Sequence, residues 1–482
     1  MPGNRPGMLT AFRVQRVHDD DREGGGREFY FDEDGVVFGG KAWIKGGEPW
    51  FDVKAFGAYG DGVHDDDKAV QDAVSAVTAA GGGVLYFPKG RYLLAVQHMD
   101  AANGYCIFVP DNCIVLGAGR NATELLCGVA DSDVLYNRAG SNITVQGMKL
   151  NGNALANNAD CIKFLSTSGV NIFDVDTTAA RMGVQLLGCT DVSIVSCHAR
   201  NQVRDAALDD ARGFSIGDLA PYTGTARVQL TNCKAFTSAD HGFSIFTNAS
   251  DVQLVNCHAL SCAGSGFRIA NSLVQITNGF ARGNNIGFDV IESSGSRIFG
   301  HAVANRQYGL RVLGTQRALF DMICRDNSVE TANTYSGVYV GDSGAVYSIL
   351  NVFRLISNNT VATGQKYGYE EVSNSGNNKV DGSLQNNQTG PGVFAATTIK
   401  RNIIGYVTEA KGTAYVLSGV TSGVVTHGLA VTPVAQDVLI TPVTWGSAGK
   451  YFLSTLNASQ FTVNVNADPT LTAVFGWHAA VL

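Results

Sequence analysis

The sequence predicts an all-β fold: a parallel β-helix closed by one helix at its N-terminal end and followed by a C-terminal β-sandwich-like module. Three observations carry that expectation. A glycine followed by alternating apolar residues recurs between Asp160 and about Val393, at Gly183, Gly213, Gly242, Gly266, Gly287, Gly309, Gly337 and Gly368. The spacings are 30, 29, 24, 21, 22, 28 and 31 residues, by subtraction of neighbouring positions. A second phrase keeps the same beat, with starts at Val228, Val252 and Val274. Self-similarity at such a period means one supersecondary unit per repeat, each stacked on its neighbours. The units hold short strands of period two split by Gly, Asn and Ser, with no helical pattern. Strands of that kind coil, each turn rising by the inter-strand spacing of roughly 4.8 Å.

Composition agrees. The chain has 482 residues, 45% apolar and 16% charged, which is ample for a large core. Glycine is frequent at 57 and proline sparse at 10, as turn-dense β structure requires. A formal net charge of −7 argues against a nucleic-acid partner. The first residues lack the apolar run of a signal peptide, and no stretch approaches the roughly 18 apolar residues of a membrane span.

Residues 1–47 read as a leader or attachment segment, with a small hairpin expected from Phe29-Tyr-Phe and Val36-Val-Phe. Residues 48–400 read as the β-helix, with its cap at 50–95. Asp65 to Asp67 offer acceptors to the free N–H groups of a helix start. Ala69, Val70, Ala73, Val74 and Val77 then follow at helical spacing until Gly81-Gly-Gly. The apolar face of that helix is expected to cover the open strand edges of the first coil. The run Gly60-Asp-Gly-Val-His-Asp-Asp reads as a turn of this cap, since it lacks the far acidic ligand of an EF-type loop. No metal or cofactor is expected.

Within the repeats, positions one and three after each glycine should fill the core, as in Phe214 and Ile216 or Phe243 and Ile245. The position between them should point out. Cys197, Cys233 and Cys257 recur in phase and read as a stack of small buried side chains, and Asn232, Asn256 and Asn278 as an amide ladder at a bend. From about 401 the pattern changes to six longer alternating runs, which predict a small antiparallel sandwich over 401–482.

The segment Asp52-Val-Lys-x-Phe-Gly-Ala-x-Gly-Asp-Gly-x-x-Asp-Asp, the helix, and Gly-Gly-Gly-x-Leu-x-Phe-Pro-x-Gly-x-Tyr resemble the N-terminal cap of the pectate-lyase-like superfamily. The resemblance is close over residues 50–95 and loose to about 400. It implies a right-handed β-helix acting on polysaccharide, most like a phage tailspike depolymerase. The C-terminal runs resemble a module that holds three tail-fibre chains together, which implies a homotrimer. A plain carbohydrate-binding or capping domain is the alternative. The leader would then serve phage tail attachment, and the protein would sit on a virion tail or outside the cell. Members differ in chemistry. The Tyr-Gly-Phe-Asp-Pro-His motif of the alginate epimerases is absent, and the acid series of the polygalacturonases is not reproduced.

Chemistry is sought where outward residues of successive coils align. The column two after each glycine reads Gln185, Ser215, Ser244, Arg268, Asp289, Arg311, Tyr339 and Glu370. Arg268, Arg311 and Tyr339 are candidate substrate ligands, with arginines clamping carboxylates or hydroxyls. The bland alternative for Arg268, Asp289 and Arg311 is an inter-coil ion ladder. The loop ends before the glycines add Asp210, in the acidic run Asp205–Asp210, and Asp240-His241. Glycoside hydrolysis needs two carboxyl groups, about 5–5.5 Å apart for retention or about 6.5–9.5 Å for inversion, which acids on adjacent or alternate coils meet. Asp210, Asp240, Asp289, Glu292 and His241 are therefore the candidate catalytic residues. Hydrolysis is favoured over β-elimination from a uronate, for which His241 and the arginines would supply base and neutralisation. A non-catalytic glycan adhesin is the competing class. His198 and His258 stand two coils apart, too far for one metal ion.

Overall fold

The computed structural model describes residues 49–482, apart from 102, 156–159, 205–209, 345, 361–363, 373, 405–408 and 482. It also describes the backbone of four short strands, Gln15–Val17, Phe29–Asp32, Gly35–Phe38 and Lys41–Trp43. The strands Phe29–Asp32 and Gly35–Phe38 pair antiparallel, giving the expected hairpin. The remainder of the leader lies outside the described residues.

The body is a parallel β-helix. One face is a parallel sheet running from Asn103–Phe108 to Gly390–Val393, here called the front sheet. The other two faces are joined by long strands that bend round a corner. Ser141–Asn151 pairs with Cys113–Gly117 through Thr144↔Ile114, and with Thr123–Cys127 through Lys149↔Glu124. The last coil strand is Ile399–Ile404, which still pairs parallel with Lys379–Ser383.

Most of the repeated glycines share one physical cause. A Cβ at Gly213, Gly242 or Gly287 would meet the carbonyl oxygen of the glycine on the next coil at 2.6, 2.7 or 2.5 Å. Any side chain there would force the coils apart. Beside these glycines, Phe214, Phe243, Phe267 and Phe288 stack with centroids 4.9, 4.9 and 4.7 Å apart and planes within 4–7°. All four are buried. The core positions expected from the period of two are thus the observed ones.

The N-terminal helix, α1 (Asp67–Ala79), buries Ala69, Val70, Ala73, Val74 and Val77 in the same core as the first coils. The capping aspartates divide their work. Asp65 accepts from the Asp67 and Ala95 N–H groups, at 3.0 and 3.1 Å. Asp66 turns back to accept from Tyr59 N–H at 2.6 Å, which closes the preceding loop. Asp61 is spent on the Val63 and His64 amides and the His64 ring, so this run forms a closed turn.

Every cysteine is a buried free thiol, and Cys197, Cys233 and Cys257 point to carbonyl oxygens at 3.5–3.6 Å. Asn232, Asn256 and Asn278 sit in left-handed backbone, φ 53–56°, with an amide bond of 2.8 Å from Asn278 to Asn256. A longer ladder runs inside the corner, from Asn284 to Asn305, Asn327, Gln365 and Asn387, with links of 3.2, 2.9, 3.3 and 2.8 Å.

From Glu409 the chain forms two three-stranded antiparallel sheets. One orders Glu409–Val416, Ala473–Ala480 and Val438–Thr444, and the other Ser422–Thr426, Gln460–Val465 and Tyr451–Ser454. They enclose a separate core that includes Val416, Phe461, Val463, Phe475 and Trp477. Among the described residues no helix is long and apolar enough to cross a membrane.

Candidate functional site

The outward column of the front sheet is in the expected phase. Gln185 pairs with Ser215, Ser215 with Ser244, Ser244 with Arg268, Arg268 with Asp289, Asp289 with Arg311, Arg311 with Tyr339 and Tyr339 with Glu370. Beside it, at the mouth of each strand, runs a second column: Asp160, Met182, Arg212, His241, Ser265, Ile286 and Tyr308. Together the two columns hold a stripe of alternating charge along the coil axis.

Asp289 anchors the middle of the stripe. It is fully buried, and Arg311 grips it through Nε at 2.8 Å and Nη2 at 2.9 Å. Arg268 adds Nη1 at 3.1 Å. This saturated carboxylate is the shared rung of an inter-coil ion ladder. The geometry corrects the expectation of a proton-transfer role for Asp289, because neither oxygen is open to a substrate. The two arginines keep part of their surface, Arg268 at 36% and Arg311 at 27% exposure.

Two coils upstream of Asp289 lie Asp240 and His241, both mostly buried. The His241 Nδ1 accepts from the Ser265 backbone N–H at 2.9 Å. Its proton therefore sits on Nε2, which faces Asp240 Oδ1 at 3.5 Å. Burial, reinforced by the surrounding guanidinium groups, pulls His241 down to about 3, so the ring is neutral near pH 7. With its lone pair taken, His241 supports Asp240 and is not itself a base. Burial also raises the Asp240 carboxyl above its ordinary range, against the pull of Arg212, Arg204 and Arg268.

On the next coil Asp210 lies between two guanidinium groups, with Arg181 Nη1 at 3.4 Å and Arg212 Nη2 at 3.6 Å. Arg181 also forks onto the buried Asp160, with contacts of 3.1 and 3.0 Å. Arg212 reaches Ser215 at 3.3 Å and lies over the Phe246 ring at 5.4 Å. Further upstream Lys163 stands 3.4 Å from Asp133, whose carboxyl burial pushes up to about 7. The rest of the acidic run, Asp205 to Asp209, lies outside the described residues.

Glu292 is not part of this constellation. Three residues beyond Asp289, it lies at the far corner of its strand, in left-handed backbone with φ 50°, and accepts from Ser343 at 2.6 Å. Tyr339 stands at the downstream end of the stripe, against Tyr308 at 4.9 Å. The sequence reading passed over Asp160, Arg181, Arg212 and Tyr308. Arg212, His241 and Tyr308 each precede a repeat glycine, and that column was as regular as the one that was read. Among the described residues no group of three His, Cys, Asp or Glu side chains is placed to hold a metal ion.

A family model described as rhamnogalacturonase A/epimerase, pectate lyase-like, matches residues 50–103, the cap and first coil. The solved A-module of mannuronan C5-epimerase AlgE6 from Azotobacter vinelandii superposes with a TM-score of 0.59 at 20% identity, covering 73% of this chain and 98% of that one. The chain shares the parallel β-helix fold of that module, and its cap and first coil match the pectate-lyase-like family model. Two sequence relatives are carbohydrate-active enzymes of the same bacterium. Mannuronan C5-epimerase AlgE5 is 37% identical over 110 residues, 21% of this chain and 11% of that protein. Alginate lyase 7 is 27% identical over 213 residues, 41% of this chain and 24% of that protein. This chain thus spans only about a tenth to a quarter of the length of these relatives.

Proposed function

We propose that the protein hydrolyses glycosidic bonds of an extracellular polysaccharide bound along the front sheet, with Asp240 as proton donor and Asp210 as its carboxylate partner. One observation carries this reading: two carboxyl groups stand on neighbouring coils in unlike settings. Asp240 is raised by burial and backed by a neutral histidine. Asp210 lies between two guanidinium groups. A carboxyl raised by burial is suited to give a proton, and a carboxylate held by arginines to stand beside a developing positive charge. Coil spacing of roughly 4.8 Å with one residue of offset puts the two backbones about 6 Å apart, from which the side chains can reach either carboxyl separation used by glycosidases. Protonated Asp240 gives its proton to the glycosidic oxygen as the bond to the anomeric carbon breaks. Asp210 stabilises the oxocarbenium-like carbon or activates the water that adds to it. Arg268 and Arg311, held by Asp289, bind and orient the sugar chain, and Tyr339 extends that contact downstream.

A second reading is β-elimination on a uronate polymer. One feature favours it: Arg268 and Arg311 keep part of their surface open, at 36% and 27% exposure, and a guanidinium group suits a uronate carboxylate. The test is incubation with a panel of bacterial and algal polysaccharides. Reducing ends without new ultraviolet absorbance support hydrolysis, and reducing ends with the absorbance of an unsaturated uronate support elimination. Binding with neither leaves a glycan adhesin.

The C-terminal module is the proposed trimerisation unit. Its outer surface exposes Leu439, Val443, Val424 and Leu471, which an assembly would cover. The leader is proposed as the segment that attaches the spike to a phage tail, which would place the protein on a virion or outside the cell.

A further inference from the structure

We propose that Tyr308, Tyr335 and Tyr339 form a sugar-stacking subsite three coils downstream of the acid pair. The proposal rests on the front sheet being the glycan-binding face, and it adds the direction in which the bound chain runs. Tyr308 packs against Tyr335 at 5.1 Å, edge-on at 76°, and against Tyr339 at 4.9 Å, tilted at 41°. The cluster lies on the solvent side of the sheet, since the strand that carries Tyr339 sends Val338 and Val340 into the core. All three rings are half-buried. Among the described residues none of the three hydroxyls meets a hydrogen-bond partner, so three O–H donors stay open beside the ring faces. Ring faces with adjacent polar handles are the surface that a pyranose recognises through its C–H face and hydroxyls.

An aromatic group at the upstream end of the same sheet makes the contrast. There Tyr136 is buried among Leu165 and Leu187, with Tyr105, Phe108, Tyr222 and Phe246 packed round it, and its hydroxyl is spent on Asp100 at 2.9 Å. That group is a small satellite core with its polar tip satisfied. The downstream tyrosines have no such cover and no such partner.

Position links them to the site. His241 and Tyr308 share one column, separated by the coils of Ser265 and Ile286. Three coil steps span roughly 14 Å. The advance per coil is close to the length of one sugar in an extended polymer. A chain with one unit at Asp240 and the next units over Arg268 and Asp289 would bring a further unit onto Arg311 and the tyrosines. Cleavage then falls upstream of the strongest hold, which anchors the product on the C-terminal side.

The test is affinity electrophoresis in gels containing sodium alginate, polygalacturonate or dextran. It compares the parent with Tyr335→Ala, Tyr308→Ala/Tyr335→Ala and Tyr335→Trp, each first shown by far-UV circular dichroism to keep the parent's fold. Each lost ring should weaken retardation by about three- to tenfold, and Tyr335→Trp should retain it. Equal retardation of the parent and the double variant, or no retardation of the parent in any gel, overturns the proposal. Its failure is separable from that of the acid pair. Tyrosine-independent binding together with lost cleavage in Asp240→Asn removes the platform alone. Tyrosine-dependent binding with parental cleavage in Asp210→Asn and Asp240→Asn removes the acid pair alone.

Discussion

Replacing Asp289 by alanine takes away the carboxylate on which Arg268 and Arg311 converge, and it should destabilise the fold far more than it alters proton transfer. Three guanidinium contacts, at 2.8, 2.9 and 3.1 Å, are lost at once. Removing one member of a buried ion pair costs about 3–5 kcal/mol, because the partner charge is left without compensation. Here the partners are 36% and 27% exposed and can turn toward water, so the lower range of about 2–4 kcal/mol applies. Asp289→Asn should cost nearly as much, since its amide N–H₂ would face guanidinium N–H groups, donor against donor. Combining Asp289→Leu with Arg268→Met and Arg311→Met should recover most of the loss, because an apolar trio of similar volume needs no desolvated charge. Urea unfolding followed by circular dichroism reads all three as midpoint shifts at constant slope. A matched control is Asp210→Ala. Its contacts, at 3.4 and 3.6 Å, are longer, and Asp210 is 20% exposed where Asp289 is fully buried, so it should cost less than Asp289→Ala. If Asp289→Ala unfolds at the parent midpoint while Asp210→Ala does not, the division into a structural and a reacting carboxylate is refuted.

Other expectations follow from the same geometry. Val70→Asp puts a charge on the buried face of α1 and should cost several kcal/mol; a parental urea midpoint would deny the helix its capping role. A chain ending near Asn402 should lose its trimer by light scattering, and an intact trimer would release the C-terminal module from that duty. The His241 ring contributes a pH dependence. Its proton affinity falls from the ordinary 6.5 to about 3 on folding. Between those values the unfolded chain binds more protons, so stability rises with pH up to about 6.5 and then levels. The difference in unfolding free energy between the parent and His241→Gln should therefore be constant above pH 6.5 and shift against the parent as pH falls toward 3. A pH-independent difference would mean that the ring has the same proton affinity in the folded and unfolded chain.

The fold was legible because its two governing periods are printed in the chain. Alternation by two decides which face a residue takes, and the recurring glycine marks where one coil's carbonyl leaves no room for a Cβ on its neighbour. Those two facts place Phe214, Phe243, Phe267 and Phe288 inside and turn the column from Gln185 to Glu370 away from the core, although neighbouring side chains cover Gln185, Ser215, Ser244 and Asp289. The outward face was legible, and the roles of its side chains were not. Whether Asp289 serves chemistry or architecture depends on where two long arginine side chains turn, which strand register leaves open. Asp289 and Glu292 look close in print, but a strand advances roughly 3.3 Å per residue, which carries Glu292 about 10 Å away to the corner. The buried ladder through Asn284, Asn305 and Asn327 was hidden because asparagine in a loop-like context reads as a surface turn. Arg181 reaches Asp210 across coils 29 residues apart in sequence, where loops of unequal length break the count.

The central claim is that Asp240 and Asp210 act together on a glycosidic bond, and rate against binding in their amide variants tests it most directly. Reducing-end release from the polysaccharide cleaved by the parent should fall by about two or more orders of magnitude in Asp240→Asn and in Asp210→Asn, the range for losing a general acid or base. Retardation in gels of that polysaccharide should stay at the parental level, because each amide keeps the shape of the acid. Parental rates in both variants would contradict the claim and move the chemistry off the front sheet.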